Sequence, residues 1–260
     1  MRYTDKVVIV TGGTKGIGRA VVEAFAAAGA DVAFCSHEDA GGAELAADVT
    51  AKGPGRAAFT RCDVSKEREL EAFIRRIGEG RGRIDCLVNN AGWHPPHRPI
   101  DAFTSDDFRS LLELNVVAVF VASRAALPWL RQSHGAIINL ASLVATIGQH
   151  YATTYVATKG AVLAFTKALA VDEAPHGVRV NAVSPGNIYT PLWQAAIDDS
   201  ADPERTRADG VAAQPFGRMG APHEAGQLCL YLAAEATFTT GADHIISGGA
   251  ELGYGRKVRT

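Results

Sequence analysis

The chain has 260 residues, 47% of them hydrophobic, which is enough to bury a full core as one large domain or two small ones. A formal net charge of -2 argues against an electrostatic nucleic-acid partner, and Arg75, Arg76, Arg81 and Arg83 follow the acidic run KERELEAF as a solvated helix end rather than as a basic stripe. Cys35, Cys62, Cys86 and Cys229 stand alone, without metal-ligand or redox spacing, and read as buried thiols of a reducing compartment. The start, MRYTDKVVIVTGG, holds too short an apolar run for a signal peptide or a membrane span. A cytoplasmic protein with no membrane partner and no metal is expected.

The first half alternates short β-branched runs with longer helical patterns: KVVIV, GIGRAVVEAFAAAG, DVAFC, AGGAELAADVTAK, AAFTRCDV. This β-α-β-α-β order demands a parallel sheet with right-handed crossovers. IDCLVNN and GAIINLAS continue as near-continuous apolar strands, the pattern of strands covered on both faces. Between them SDDFRSLLELNVVAVFVASRAALPWLRQ predicts a long helix opened by Ser105 as N-cap, which Pro128 should kink or end early. RVNAVSP and DHIISGG supply the last two strands around a helix near EAGQLCLYLAAE. With no repeat and no interior linker, residues 1–260 read as one domain: an α/β, Rossmann-type, doubly wound sheet of about seven parallel strands with helices on both faces.

Immediately after the first strand, TGGTKGIG sets Gly12, Gly16 and Gly18 at the turn into the first helix. Glycine lets the backbone approach a pyrophosphate, and the free N–H groups of the helix start bind its charge. Strand-to-helix turns also use glycine for steric reasons, so the flanking elements carry the argument. Asp63, at the end of the third strand, either accepts from an adenine amino group or, like Ser65, caps the next helix. NNAG, Asn89 to Gly92, ends the fourth strand at the expected rim of the crevice.

YVATK places Tyr155 and Lys159 one helical turn apart on one face. Oxidising an alcohol by hydride transfer needs a base for the hydroxyl proton, and a phenol with a pKa of about 10 is too weak at neutral pH. A lysine charge about 5 Å away at an effective dielectric near 20 is worth about 3 kcal/mol, or about two pKa units.

TGGTKGIG, NNAG, Asn115 in LELN, Ser142 in INLAS, YVATK and SPGNIYT together resemble the short-chain dehydrogenase/reductase family in order and spacing, over essentially the whole chain. NNAGWHPPHRP, SLVATIGQ, SPGNIYTPLW and GGAELGYG are similar to the branch that oxidises 17β-hydroxysteroids and L-fucose. The resemblance implies Tyr155 as base, Lys159 as its partner and ribose ligand, Ser142 as donor to the substrate oxygen, and Asn115 as holder of a water that links Lys159 to solvent. It adds Thr14, Lys15, Ile17, Val64 and Ala91 to the dinucleotide site, and gives the nicotinamide carboxamide to the Ile188 backbone and Thr190, after the turn at Pro185 and Gly186. A homotetramer built on the long helices around Asn115 and Tyr155 is also implied.

The irregular stretch over about 187–220 reads as a substrate lid. The resemblance places His94, Gln149, Asn187, Trp193 and Tyr254 around the reacting carbon, and so polar a set suits a pyranose better than a steroid. The expected substrate is therefore an aldose such as L-fucose, with 17β-hydroxysteroids weaker. A steroid dehydrogenase proper, a 3-oxoacyl carrier-protein reductase and a nonenzymatic dinucleotide sensor are the alternatives. NAD-specific members carry an acid at the tip of the second strand. Ser36 and His37 stand there instead, with Lys15 nearby, so dual use of NAD and NADP with a lean to NADP is expected.

Overall fold

The computed structural model describes residues 2–39 and 41–252, and each β-branched run forms a strand. They are β1 (Val7–Thr11), β2 (Asp31–Ser36), β3 (Arg56–Arg61), β4 (Cys86–Asn89), β5 (Ala136–Leu140), β6 (Arg179–Pro185) and β7 (Asp243–Ile246). All pairings are parallel, in the order β3-β2-β1-β4-β5-β6-β7. β1 is flanked by β2 on one side and β4 on the other, Val8 pairing with Val32 and with Cys86. The connections run in opposite directions from that point, which opens a crevice at the carboxyl ends of β1 and β4.

The crossovers are helical: α1 (Gly16–Ala27), α2 (Gly42–Lys52), α3 (Glu67–Arg81), α4 (Ser105–Leu112), α5 (Ala118–Ser133), α6 (Val144–Ile147), α7 (Thr153–Glu173), α8 (Pro191–Asp198), α9 (Pro203–Ala212) and α10 (Pro222–Ala234). Alternate strand residues serve opposite faces. Val8 and Val10 pack with Phe25 of α1, Leu45 of α2 and Leu230 of α10, whereas Val7 and Ile9 pack with Phe73 of α3 and Val121 of α5. Each fully buried side chain of this size stabilises the fold by about 1.5–3 kcal/mol, and two covered faces explain why the strands are apolar without alternation.

Two expectations for the long central helix are corrected. Its N-cap is Thr104, not Ser105: Asp107 N donates to Thr104 Oγ1 at 3.0 Å and Thr104 N to Asp107 Oδ2 at 2.9 Å, a reciprocal capping box. Pro128 does not end the helix, since α5 runs through it to Ser133. The irregularity lies upstream, in a π-helical turn over Glu113–Val117 that contains the fully buried Asn115. The combined run Ser105–Ser133 is long and apolar enough to cross a membrane, but half of its apolar window is buried in this fold.

Candidate active site

β1 delivers the glycine turn to the crevice. Gly12 has φ 66°, and a Cβ on Gly18 would stand 2.1 Å from the Gly12 carbonyl oxygen, so a side chain at Gly18 would break the turn. No side chain caps α1 and no acid lies in its first turn, which leaves the N–H groups at Gly16, Ile17 and Gly18 free for an anion. These features fit a pyrophosphate. Asn90 braces the turn by donating to the Thr11 and Gly12 carbonyls at 3.0 and 2.9 Å, while Asn90 N and Ala91 N donate to Thr11 Oγ1. Thr14 is half-buried beside it.

The neighbouring motif residues divide between crevice and interior. The Asn89 side chain is a correction: it is buried and donates to Asn139 Oδ1 at 2.8 Å and Ser123 Oγ at 3.2 Å, because its strand position points it between β5 and α5. Val64 is likewise buried in the core, leaving only backbone for a ligand. Asp63 is at the rim, where it accepts from Ser65 N and Oγ at 3.0 and 2.7 Å; this turn bond holds its carboxyl below the usual range. Neither Asp63 nor Ser65 is the N-cap of α3, which is Lys66. His37, Asp63, Ser65, Trp93 and Leu114 line a cavity of about 370 Å³ along this end of the crevice.

Tyr155 and Lys159 come together at the start of α7, with the Lys159 ammonium 5.8 Å from the Tyr155 ring centroid. Their electrostatics differ from the expectation. Burial pushes the phenol up to about 12, against a smaller lowering by its hydrogen bond with Ser142, and pushes Lys159 down to about 8. The cause is burial of both groups, while the Lys159 ammonium donates to the Leu140 carbonyl of β5 at 2.7 Å.

Asn115 lies in the same cluster, fully buried. Its side chain makes three of its four hydrogen bonds: Oδ1 accepts from Trp93 N at 2.9 Å, and Nδ2 donates to Trp93 O at 3.0 Å and to Thr158 Oγ1 at 3.1 Å. Thr158 Oγ1 in turn donates to the Tyr155 carbonyl at 2.8 Å. Asn115 thus ties the segment after β4 to the helix that carries Tyr155, with one lone pair of its Oδ1 left over. Gly92 lies against this knot, 3.1 Å from Asn115 Oδ1 and 3.5 Å from Lys159 Nζ as measured from a Cβ placed there.

His94, two residues on, lies over Tyr155 with ring centroids 4.1 Å apart and planes tilted by 42°. Its Nδ1 faces the Pro95 carbonyl at 2.6 Å and its Nε2 the Gln149 amide oxygen at 3.0 Å. His97, unmarked by the sequence reading, meets His94 edge-on at 5.1 Å. Asn187 and Trp193 turn elsewhere: Asn187 Nδ2 donates to the Gly210 carbonyl at 2.9 Å, and the Trp193 ring packs on Gly210, where a Cβ would stand 2.6 Å from the indole. Asn187 thus ties the loop after β6 to α9, and Trp193 packs α8 on α9. Tyr254 lies outside the described residues.

The SPGNIYT loop closes the other side. Leu143 N donates to Pro185 O at 3.0 Å and Gly186 N to Ile246 O at 2.9 Å. Gly220 N donates to Asn187 O at 2.9 Å and Tyr189 N to Gly220 O at 2.8 Å, a parallel bridge in which the N–H and C=O of Ile188 itself face away and stay free. Thr190 accepts from Trp193 N as N-cap of α8, and its Cγ2 would lie 3.3 Å from a Cβ on Gly16. This loop and the glycine turn therefore face each other across the crevice. At the tip of β2, Ser36 is buried with its Oγ accepting from Glu38 N at 3.4 Å, His37 is exposed, and Lys15 Nζ pairs with Glu38 Oε2 at 2.6 Å.

Residues 12–251 match a family model described as enoyl-(acyl carrier protein) reductase. An L-fucose dehydrogenase from Mus musculus is 50% identical over 257 residues, 99% of this chain and 92% of that protein. The ligand-free aldohexose dehydrogenase of Thermoplasma acidophilum superposes with a TM-score of 0.87 at 32% identity, covering 99% and 98% of the two chains. The L-sorbose reductase of Gluconobacter frateurii, complexed with NADPH and L-sorbose, gives 0.90 at 29% identity over 96% and 98%. The chain belongs to the short-chain dehydrogenase/reductase family. It is an oxidoreductase that acts on CH–OH groups with a nicotinamide dinucleotide.

Proposed function

We propose that the protein oxidises the anomeric hydroxyl of an aldose, L-fucose being the best candidate, to a lactone. The observation that carries the reading is the bonded His94–Gln149 pair set against the Tyr155 ring. A polyol can exchange hydrogen bonds with this polar edge, whereas a steroid skeleton offers it no partner. The names of the mouse and Thermoplasma relatives point the same way. 17β-Hydroxysteroid oxidation is proposed as the weaker activity.

Tyr155 takes the hydroxyl proton, Ser142 holds the reacting oxygen, and His94 with Gln149 orients the ring hydroxyls. Lys159 serves the phenol by turning its charge from Leu140 towards it. A bound nicotinamide dinucleotide supplies the hydride acceptor. Gly12, Thr14, Gly16, Ile17 and Gly18 hold its pyrophosphate, Asp63 and Val64 its adenine, the Ile188 backbone and Thr190 its carboxamide, and Lys159 its ribose. Ser36, His37 and Lys15 lean the reading to NADP within dual use, and the Lys15–Glu38 pair weighs towards NAD. An unchanged ratio of cofactor efficiencies in Ser36→Asp would remove the lean to NADP.

The 187–220 segment acts as a lid. A homotetramer through α5 and α7 is supported by the exposed Phe120 and Val171 on those helices. The four free, buried thiols suit a reducing, cytoplasmic setting.

Side-by-side efficiencies for L-fucose and estradiol, with either cofactor, test the reading. The sugar should be turned over more efficiently, and His94→Ala and Gln149→Ala should impair it. A preferred steroid, with both truncations silent towards sugar, would overturn the proposal; dinucleotide binding without turnover of any alcohol would favour a sensor.

A further inference from the structure

The corner where the glycine turn meets the second strand carries more charge than the motif residues account for. Lys15 sits at the start of α1, His37, Glu38 and Asp39 follow β2, and Arg61 ends β3. Glu38 is their hub. Its Oε2 lies 2.6 Å from Lys15 Nζ, its Oε1 lies 3.5 Å from His37 Nε2, and its N–H donates to Ser36 Oγ. The Lys15 bond, with the charges of Lys15 and His37, holds the Glu38 carboxyl below the usual range. Asp39 belongs to another pair, 3.9 Å from Arg61, whose Nε donates to the His37 carbonyl at 3.2 Å.

In a doubly wound sheet the adenosine ribose faces this corner: an acid accepts from a 2′-hydroxyl, and cations answer a 2′-phosphate. The strand-tip residue itself, Ser36, has its hydroxyl turned to the loop. Two basic side chains at the corner, Lys15 and His37, are both engaged by one carboxylate.

We infer that Glu38, two residues beyond the strand tip, is the residue that sets cofactor choice, because it offers an acceptor to a 2′-hydroxyl while withholding Lys15 and His37 from a 2′-phosphate. NAD binds with the Lys15–Glu38 pair intact. NADP binds only when its phosphate displaces the Glu38 carboxylate from Lys15. Ser36 is then permissive: it removes the usual strand-tip acid and anchors the loop that carries the substitute.

The inference rests on the reading of the crevice as a dinucleotide site, and its test needs no sugar. Dissociation constants for NADH and NADPH are measured by cofactor fluorescence on the full chain, for the wild type, Glu38→Gln, Lys15→Ala, the Lys15→Ala/Glu38→Gln double variant and Asp39→Asn. Removing one exposed negative charge beside a phosphate dianion should tighten NADPH about tenfold and weaken NADH several-fold. In the double variant the NADPH gain should disappear, because the released cation is gone. Asp39→Asn should leave the ratio within about twofold. A Glu38→Gln variant with the wild-type ratio, or an Asp39→Asn shift as large, overturns the inference. Because the measurement is binding without substrate, a failed sugar oxidation leaves it standing, and its own failure leaves the substrate reading untouched.

Discussion

The His94 imidazole is tilted 42° over the Tyr155 phenol at a centroid separation of 4.1 Å, held by Pro95 on one ring nitrogen and Gln149 on the other. The site therefore presents a polar edge within reach of whatever Tyr155 deprotonates. His94→Ala is expected to raise the KM for sugar roughly tenfold or more, with a smaller fall in kcat, and Gln149→Ala to do the same more mildly. Initial rates against sugar concentration check this.

Tyr155→Phe removes the proposed base and little else. Turnover should be lost while cofactor affinity stays within a few-fold, and Lys159→Ala should damage both. Single-turnover rates with cofactor titrations decide, and near-normal turnover in Tyr155→Phe would sink the mechanism.

The pH dependence follows from two opposed shifts. In the proposed mechanism the active pair is an ionised Tyr155 beside a charged Lys159, yet burial moves the phenol to about 12 and the ammonium to about 8. The fraction in that state rises with pH while Lys159 keeps its proton, and levels once Lys159 begins to lose it. Oxidation efficiency should thus climb to about pH 8 and flatten, an inflection belonging to the pair rather than to either group. In Lys159→Ala any residual activity should keep rising through pH 8, as read in a profile of kcat/KM.

Asn115→Ala unties the knot between Trp93 and Thr158. The freed Trp93 groups and Thr158 hydroxyl lose their partners, at a cost of about 1–3 kcal/mol in stability. His94 is carried by the loosened segment, so kcat should fall as well. Urea unfolding and sugar kinetics on the same variant should move together; a stability loss with unchanged kinetics would assign Asn115 to the scaffold alone.

Away from the crevice, Arg131 forks onto the buried Glu173 carboxylate at 2.8 and 2.6 Å and holds its carboxyl below the usual range. A depressed folded pKa means the contribution is complete above the ordinary value of 4.5 and lost as pH falls through the lowered one. Glu173→Gln should cost about 1–3 kcal/mol at neutral pH. Its deficit against the wild type should shrink in strong acid, as measured by urea midpoints at both pH values.

Local signals in the sequence are sufficient for the sheet and for the helix that carries Tyr155 and Lys159. The continuous apolar strands announce two covered faces, the glycine turn announces a close backbone approach, and the Tyr155–Lys159 spacing is a property of any helix. What stayed hidden depends on partners remote in sequence. Asn115 is bonded to residues 22 and 43 positions away, and the inward turn of Asn89 depends on Ser123 and Asn139. The direction of the Lys159 charge depends on a β5 carbonyl. Some signals were present but outweighed: Thr190–Pro191 and Asp202–Pro203 each pair a capping side chain with proline at the first helical position, and they mark α8 and α9 inside the stretch read as irregular.

The join between β1 and β4 has a kinetic consequence. It is locked where Val7 N donates to Asp85 Oδ2 at 2.9 Å, between residues 78 positions apart. A chain emerging during synthesis can lay β2 and β3 beside β1 early, from contacts local in sequence, but the opposite wall must wait until α3 has been made. The crevice is thus incomplete in the nascent first half, its β4 wall and the loop after β6 both still to come. A cofactor that binds only the closed form would then draw the late folding step forward by mass action.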